Sequence, residues 1–447
     1  MQRLGSARAR LTPALARVFG TALAMTLALA LAMVLLLAGC SSSSGAATAA
    51  PATRPAPTDS GLAASGVPAA DAAATEAAVR RIYASRLAGL ARGDLGAWLH
   101  GLSAGGLVEE QRAIFGRMRA LRAVDVVVTD VTVLAGSGGA PGATGPGRRL
   151  QVRLSYRLAG FDTAPRPFAL EVTATRTTGS TTATTITASR PADRPQPWDL
   201  PDLQVRRSPA LLVAVSGTAA HADDVARVAR SAAGRVAAVL GAARPAVVVA
   251  PASDDLAARL LGRQPAALDQ VSAVTDGPLQ GRRAGADRVV VVPGAWSSLT
   301  AAGREVVLAH ELTHVTTRAE ESTHAVPLWL SEGLAEYVAY HGVRLPERTI
   351  VAPALEQARV TGVPAVWPDD AQFEPGTGDL SAAYGVALLA CRSIADRHGQ
   401  AALVRLYRAA ATGPIDAAFR AVGTDAGAET RGWQSRIELL LRPAGQP

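Results

Sequence analysis

The sequence predicts an α+β protein with two folded units. The first is a long helix followed by a curved antiparallel sheet; the second begins with a small sheet and becomes mostly helical. Three observations lead there. At 447 residues with 49% hydrophobic content, the chain is too long for one ordinary core and apolar enough to build two. Apolar residues recur at three- and four-residue steps after Thr75 and again after Pro293, which is the helical period. Between these stretches lie short β-branched or alternating segments separated by Gly- and Pro-rich turns.

Residues 1–39 carry arginines and then an apolar run from Val18 to Ala38, ending in Leu37-Ala38-Gly39-Cys40. This resembles the bacterial lipobox. The resemblance implies a signal peptide cut before Cys40 and a lipid on the new N-terminal cysteine. A membrane-spanning helix is the competing reading of such a run; SSSSG directly after Cys40 favours the lipoprotein. The expected location is therefore the outer face of a cell membrane. Residues 40–70 are small and polar with many alanines and prolines, the composition of a flexible tether.

Residues 71–202 form the expected first unit. VRRIYASRLAGLARGDLGAWL reads as helix, and DVVVTDVTVL, RLQVRLSYRL, FALEVTATR and TTATTITASR read as strands. This order of elements resembles the cone-shaped fold of the ketosteroid-isomerase and nuclear-transport-factor superfamily. No acid/base set stands out in it, so a structural or binding module is expected.

Residues 203–447 form the second unit. ALLVAV, AVVVA and RVVVVP read as strands, with ADDVARVARSAAGRVAAVLG as an amphipathic helix between the first two. A helix follows from about Ser298 to Thr317, with Val307, Leu308, Leu312 and Val315 on its expected core face. His310 and His314 are one turn apart there and project from one face, with Glu311 on the flank. Two neutral nitrogen ligands beside a carboxylate that can take a proton is what a zinc hydrolase needs. With only 7 histidines in the chain, the chance expectation for His-Glu-x-x-His is on the order of 0.005.

A third ligand distinguishes the subclasses. A metzincin has glycine three residues after the second histidine and a ligand six after it; here those positions hold Thr317 and Glu320. Without the glycine turn Glu320 is poorly placed. Further on, Pro327 suits the first turn of another helix and Gly342 its end. On that helix Glu332 and Glu336 are one turn apart, so that one can complete a zinc site while the other orients a histidine.

HELTH followed by WLSEGLAEY resembles the gluzincin clan of metallopeptidases, in particular its peptidase MA-like branch. Related aminopeptidases carry tryptophan-leucine-asparagine-glutamate-glycine, where this chain has Ser331 in place of the asparagine. The resemblance implies a zincin-like fold for the second unit and peptide or protein substrates. It makes His310, His314 and Glu332 zinc ligands, Glu311 the general base and Glu336 the carboxylate behind a ligand. It further implies an oxyanion-stabilising role for Tyr384, in SAAYGVALLACRSIADRHG. The glycine-x-methionine-glutamate-asparagine stretch that holds a free amine in the aminopeptidases is absent, which favours an endopeptidase.

Charge excludes one class. All 45 basic residues are arginine, and half of the net charge of +8 sits on Arg3, Arg8, Arg10 and Arg17, before Cys40. The others are scattered among acids without a basic run or interleaved aromatics, so no nucleic-acid partner is expected. Of the two cysteines, Cys40 belongs to the lipobox and Cys391 lies in an apolar helical pattern, so no intramolecular disulfide is expected. His100, His221 and His398 are expected at the surface, His341 at a helix end, and His324 in a solvated loop.

Overall fold

The computed structural model describes residues 69–443, apart from 136–146, 178–182, 270, 281, 319, 321 and 375–378. The expected signal peptide, most of the tether and Cys40 lie outside the described residues. Among those described, no helix is long and apolar enough to cross a membrane.

Helix α1 (Ala69–Arg92) starts the chain, followed by α2 (Leu95–Leu99) and α3 (Gly106–Ala120). Four strands come next: β1 (Ala123–Val133), β2 (Arg148–Leu158), β3 (Arg166–Thr177) and β4 (Ala183–Pro191). They form an antiparallel meander in the order β1-β2-β3-β4. Strand β2 alternates cleanly, burying Leu150, Val152, Leu154, Tyr156 and Leu158. Register shifts in β1 and in β3/β4 bend the sheet. Tyr156, Phe168 and Trp198 are buried together, packed edge to face with centroids 4.6–5.6 Å apart.

A five-stranded sheet follows, in the order β5-β6-β7-β11-β8. Its strands are β5 (Leu203–Arg207), β6 (Leu211–Ser216), β7 (Ala246–Ala250), β8 (Ala273–Asp276) and β11 (Arg288–Val291). Two short strands, β9 (Leu279–Gln280) and β10 (Arg283–Ala284), pair as a separate hairpin. The sequence reading missed β5 and β8, each too short and mixed to show a period. The central strands β6 and β7 are buried at every residue, as expected where both faces are covered.

Alternate residues of this sheet feed two cores. Val213, Val215, Val248, Val289 and Val291 pack with helices of the C-terminal half. Leu212, Ala214, Val247, Val249 and Val290 pack with the first sheet and its helices. A buried ion pair ties the two sheets together: Arg288 on β11 donates to both oxygens of Asp162, at 2.7 Å each. The chain therefore has no break in its core near residue 203.

Helix α4 (Ala219–Leu240), capped by Thr218 and ended by Gly241 at φ 85, connects β6 to β7. Beyond α5 (Asp254–Leu261) and α6 (Pro293–Ser298) come the two helices that matter most: α7 (Ala301–Arg318) and α8 (Leu328–Ala339). Pro327 sits at the N-cap of α8, one position before its first turn. Helices α9 (Glu347–Ile350), α10 (Ala352–Thr361), α11 (Leu380–His398), α12 (Gln400–Thr412), α13 (Ile415–Ala421) and α14 (Ala426–Leu441) complete the chain.

Helix α7 is buried on nearly every side from Val306 to Thr317, not along a single stripe. Its threonines are accommodated because Thr313, Thr316 and Thr317 bond the carbonyls of Ala309, Leu312 and Thr313, at 2.7, 2.8 and 3.0 Å. Gly333 lets α8 and α11 approach closely: a Cβ there would sit 2.5 Å from the Ala387 carbonyl oxygen and 2.7 Å from the Cys391 sulfur. Gly333→Ala should therefore destabilise the protein by about 1–3 kcal/mol, from overpacking against backbone. An unchanged urea midpoint would show that the helices can part without cost.

Candidate metal centre

Thr300 starts α7 by accepting the Gly303 amide at 3.1 Å. The helix then carries His310, Glu311 and His314 into the interior, each no more than 2% exposed. Helix α8 packs beside it and brings Glu332 and Glu336, also buried. The donor atoms of His310, His314 and Glu332 lie within 4.8 Å of one another. His310 Nε2 is 2.9 Å from His314 Nε2, and Glu332 Oε2 is 3.2 Å from the first and 3.3 Å from the second.

This donor set fits zinc. It supplies two imidazole nitrogens and one carboxylate oxygen, three protein donors of the kind a catalytic zinc takes. The second oxygen of Glu332, Oε1, is buried without a partner, which is costly in a purely structural cluster. Glu336 completes the arrangement from behind: its Oε1 is 2.8 Å from His310 Nδ1, which fixes that ring so that Nε2 faces the other donors. Glu336→Gln should weaken zinc affinity about 10–100-fold; a zinc titration with wild-type affinity would remove Glu336 from the centre.

The field at this spot favours a cation. Burial opposes charge on His310, but Glu332 and Glu336 outweigh it and raise its pKa to about 10. Burial alone would raise the Glu332 carboxyl; His314 and His310 reverse that and hold it down at about 2. His314 is lowered, by burial first.

Glu311 faces a different neighbourhood. Its Oε2 accepts a short hydrogen bond from the Thr275 hydroxyl, which also lies 3.2 Å from the Glu311 carbonyl oxygen. Its Oε1 is buried without a partner. Burial raises its pKa to about 7. Thr275 belongs to β8, an edge strand, and was not singled out from the sequence; the only signal was the β-branched pair Val274-Thr275 in Ala-Val-Thr-Asp. Strand β8 is braced at Asp276, which pairs with Arg166 at 2.6 Å and Arg194 at 3.3 Å.

Tyr384, in the second turn of α11, is 2% exposed, and its ring stands edge-on to His310 with centroids 5.9 Å apart. It lines a small pocket with Glu336, Tyr340 and Ser381. Its phenol is raised, by burial first and then by Glu332, Glu336 and Glu311. Sequence reasoning also missed Tyr407 on α12, a buried ring whose phenol is raised, by burial first, with Thr317 and Ser331 acting against the rise.

The remaining candidates fall elsewhere. Glu320 pairs with Arg408 at 3.2 Å, away from the centre. Cys391 is a buried free thiol. His100, His221 and His324 are exposed. His398 is the exception to the expected surface set: it is half-buried and 2.8 Å from the fully buried carboxylate of Glu429.

No model of a known protein family matches the chain, and no match was found among curated proteins. Among solved structures it is similar to a two-domain M1 zinc metallopeptidase mutant bound to L-arginine, at 17% identity and TM-score 0.31, over 62% of this chain and 62% of that one. It is also similar to an M1 zinc metallopeptidase from Deinococcus radiodurans, at 15% identity and TM-score 0.31, over 71% of this chain and 70% of that one. The chain thus spans less than two thirds of the first of these structures.

Proposed function

We propose that the protein is a zinc metallopeptidase, an endopeptidase held by lipid at the outer face of a cell membrane. The observation that carries this reading is the convergence of His310, His314 and Glu332 within 4.8 Å, with the Glu311 carboxylate one residue from the first of them. A zinc ion bound there supplies Lewis acidity, which acidifies water and polarises a substrate carbonyl.

The chain's own residues have separate tasks. His310, His314 and Glu332 hold the ion, and Glu336 orients His310. Glu311 receives the proton of the attacking water at its unpartnered Oε1, while Thr275 holds Oε2 in place. Tyr384 stabilises the oxyanion with its hydroxyl, which burial keeps protonated as a donor. A scaffold without activity would retain the ligands but would need no buried carboxylate beside them, and Glu311 is that carboxylate.

The test is digestion of a mixed peptide library by zinc-loaded protein. Cleavage within peptides, abolished by a chelator and restored by zinc, is the expected result. Release of N-terminal residues alone would replace endopeptidase by aminopeptidase, and no cleavage would sink the reading. The anchor rests on the lipobox sequence, and absence of lipid label at Cys40 in cells would overturn it.

A further inference from the structure

Three arginines are buried among the described residues: Arg86, Arg166 and Arg288. Arg288 pairs with Asp162 and Arg166 with Asp276. Arg86, at 2% exposure, has no carboxylate beside it. A guanidinium does not shed its charge in proteins, so an unpaired buried one is expensive.

What surrounds Arg86 is an aromatic cavity lined by the first helices and the first sheet. Its Nη2 donates to Gln111 Oε1 at 2.6 Å, and Gln111 is itself held by the Trp98 indole, which donates to its carbonyl at 2.7 Å. The guanidinium carbon lies 4.5 Å from the Trp98 ring centroid and 5.5 Å from that of Tyr83. Nε and Nη1 have no hydrogen-bond partner. All four side chains line a pocket enclosing about 510 Å³ of space between atoms, part of it open to solvent, with Phe168 and Trp198 on its wall. Its lining, mostly apolar with a few polar groups, has the character of a small-molecule site.

We propose that this cavity binds a small organic anion, a monocarboxylate with an apolar body, whose carboxylate meets Arg86 while the body lies against Trp98, Trp198 and Phe168. Neutral ligands are disfavoured because they would leave the cation unpaired. A second negative charge is disfavoured because Glu110 and Asp199 also line the pocket. Neither of them acts on Arg86: burial lowers its pKa, and the only opposing group is Tyr83. The site is separate from the metal centre and does not depend on the peptidase reading.

The experiment is calorimetric titration of the purified full-length chain with phenylacetate and cinnamate, each beside its neutral amide, and with phenyl phosphate. Saturable binding of a carboxylate with Kd below about 1 mM is expected, with the amides and the phosphate at least about tenfold weaker. Arg86→Met should weaken carboxylate binding at least about tenfold, leave zinc content unchanged and not lower the melting temperature, since it removes an unpaired buried charge. Arg86→Lys covers a methionine variant that fails to fold, and should bind measurably less than wild type because it loses the guanidinium donors. Absence of carboxylate binding, amide or phosphate binding as tight as carboxylate, or wild-type affinity in the variant that folds would each overturn the proposal.

Discussion

Glu332→Ala should strip the chain of zinc. The substitution leaves His310 and His314 on α7 but removes the only one of the three clustered donors that α8 supplies. Two imidazoles one turn apart hold zinc far less tightly than three ligands from two helices, and the lost group is also the negative charge nearest the ion. The affinity loss should exceed about 100-fold, above the range typical of groups behind a ligand. Glu320→Ala is the control, because it breaks only an ion pair with Arg408 in which Glu320 is 32% exposed, and such pairs contribute little. Competition against a zinc indicator reads both variants. Retained affinity in Glu332→Ala, with loss in Glu320→Ala, would show that the wrong third ligand had been chosen.

The centre was legible in the sequence because its chemistry is local. Helical period alone places His310 and His314 on one face, and the WLSEGLAEY stretch puts Glu332 and Glu336 one turn apart. What no local pattern could show is how the two helices meet. Nor could it show the close packing of α8 on α11 at Gly333, Ala387 and Cys391, a contact between residues far apart in the chain. Thr275 was invisible for the same reason: β8 is four residues long, and its pairing with β11 and its approach to Glu311 are both long-range.

The sequence reading expected a second unit to begin near residue 203, where the strand-like apolar runs start. The shared core was not legible. Strands β6 and β7 read as continuous apolar runs, which predict burial on both faces without naming what covers each. The structure supplies helices on one face and the first sheet on the other. The Arg288–Asp162 pair between the sheets is likewise beyond pattern reading, as is the contrast between it and the unpaired Arg86.

Glu311 separates an enzyme from a scaffold most directly. Glutamine keeps the length of the side chain and an oxygen that can accept from Thr275, so the fold and the three clustered donors should be untouched. What disappears is the capacity to take a proton at Oε1. Loss of a general base typically costs 10²–10⁴-fold. The measurement is cleavage of a mixed peptide library by wild type and Glu311→Gln, each shown beforehand to hold one zinc and to melt at the same temperature. The expected result is cleavage at least about 100-fold slower in the variant; equal cleavage by two equally zinc-loaded proteins would contradict Glu311 as the base and with it the proposed mechanism.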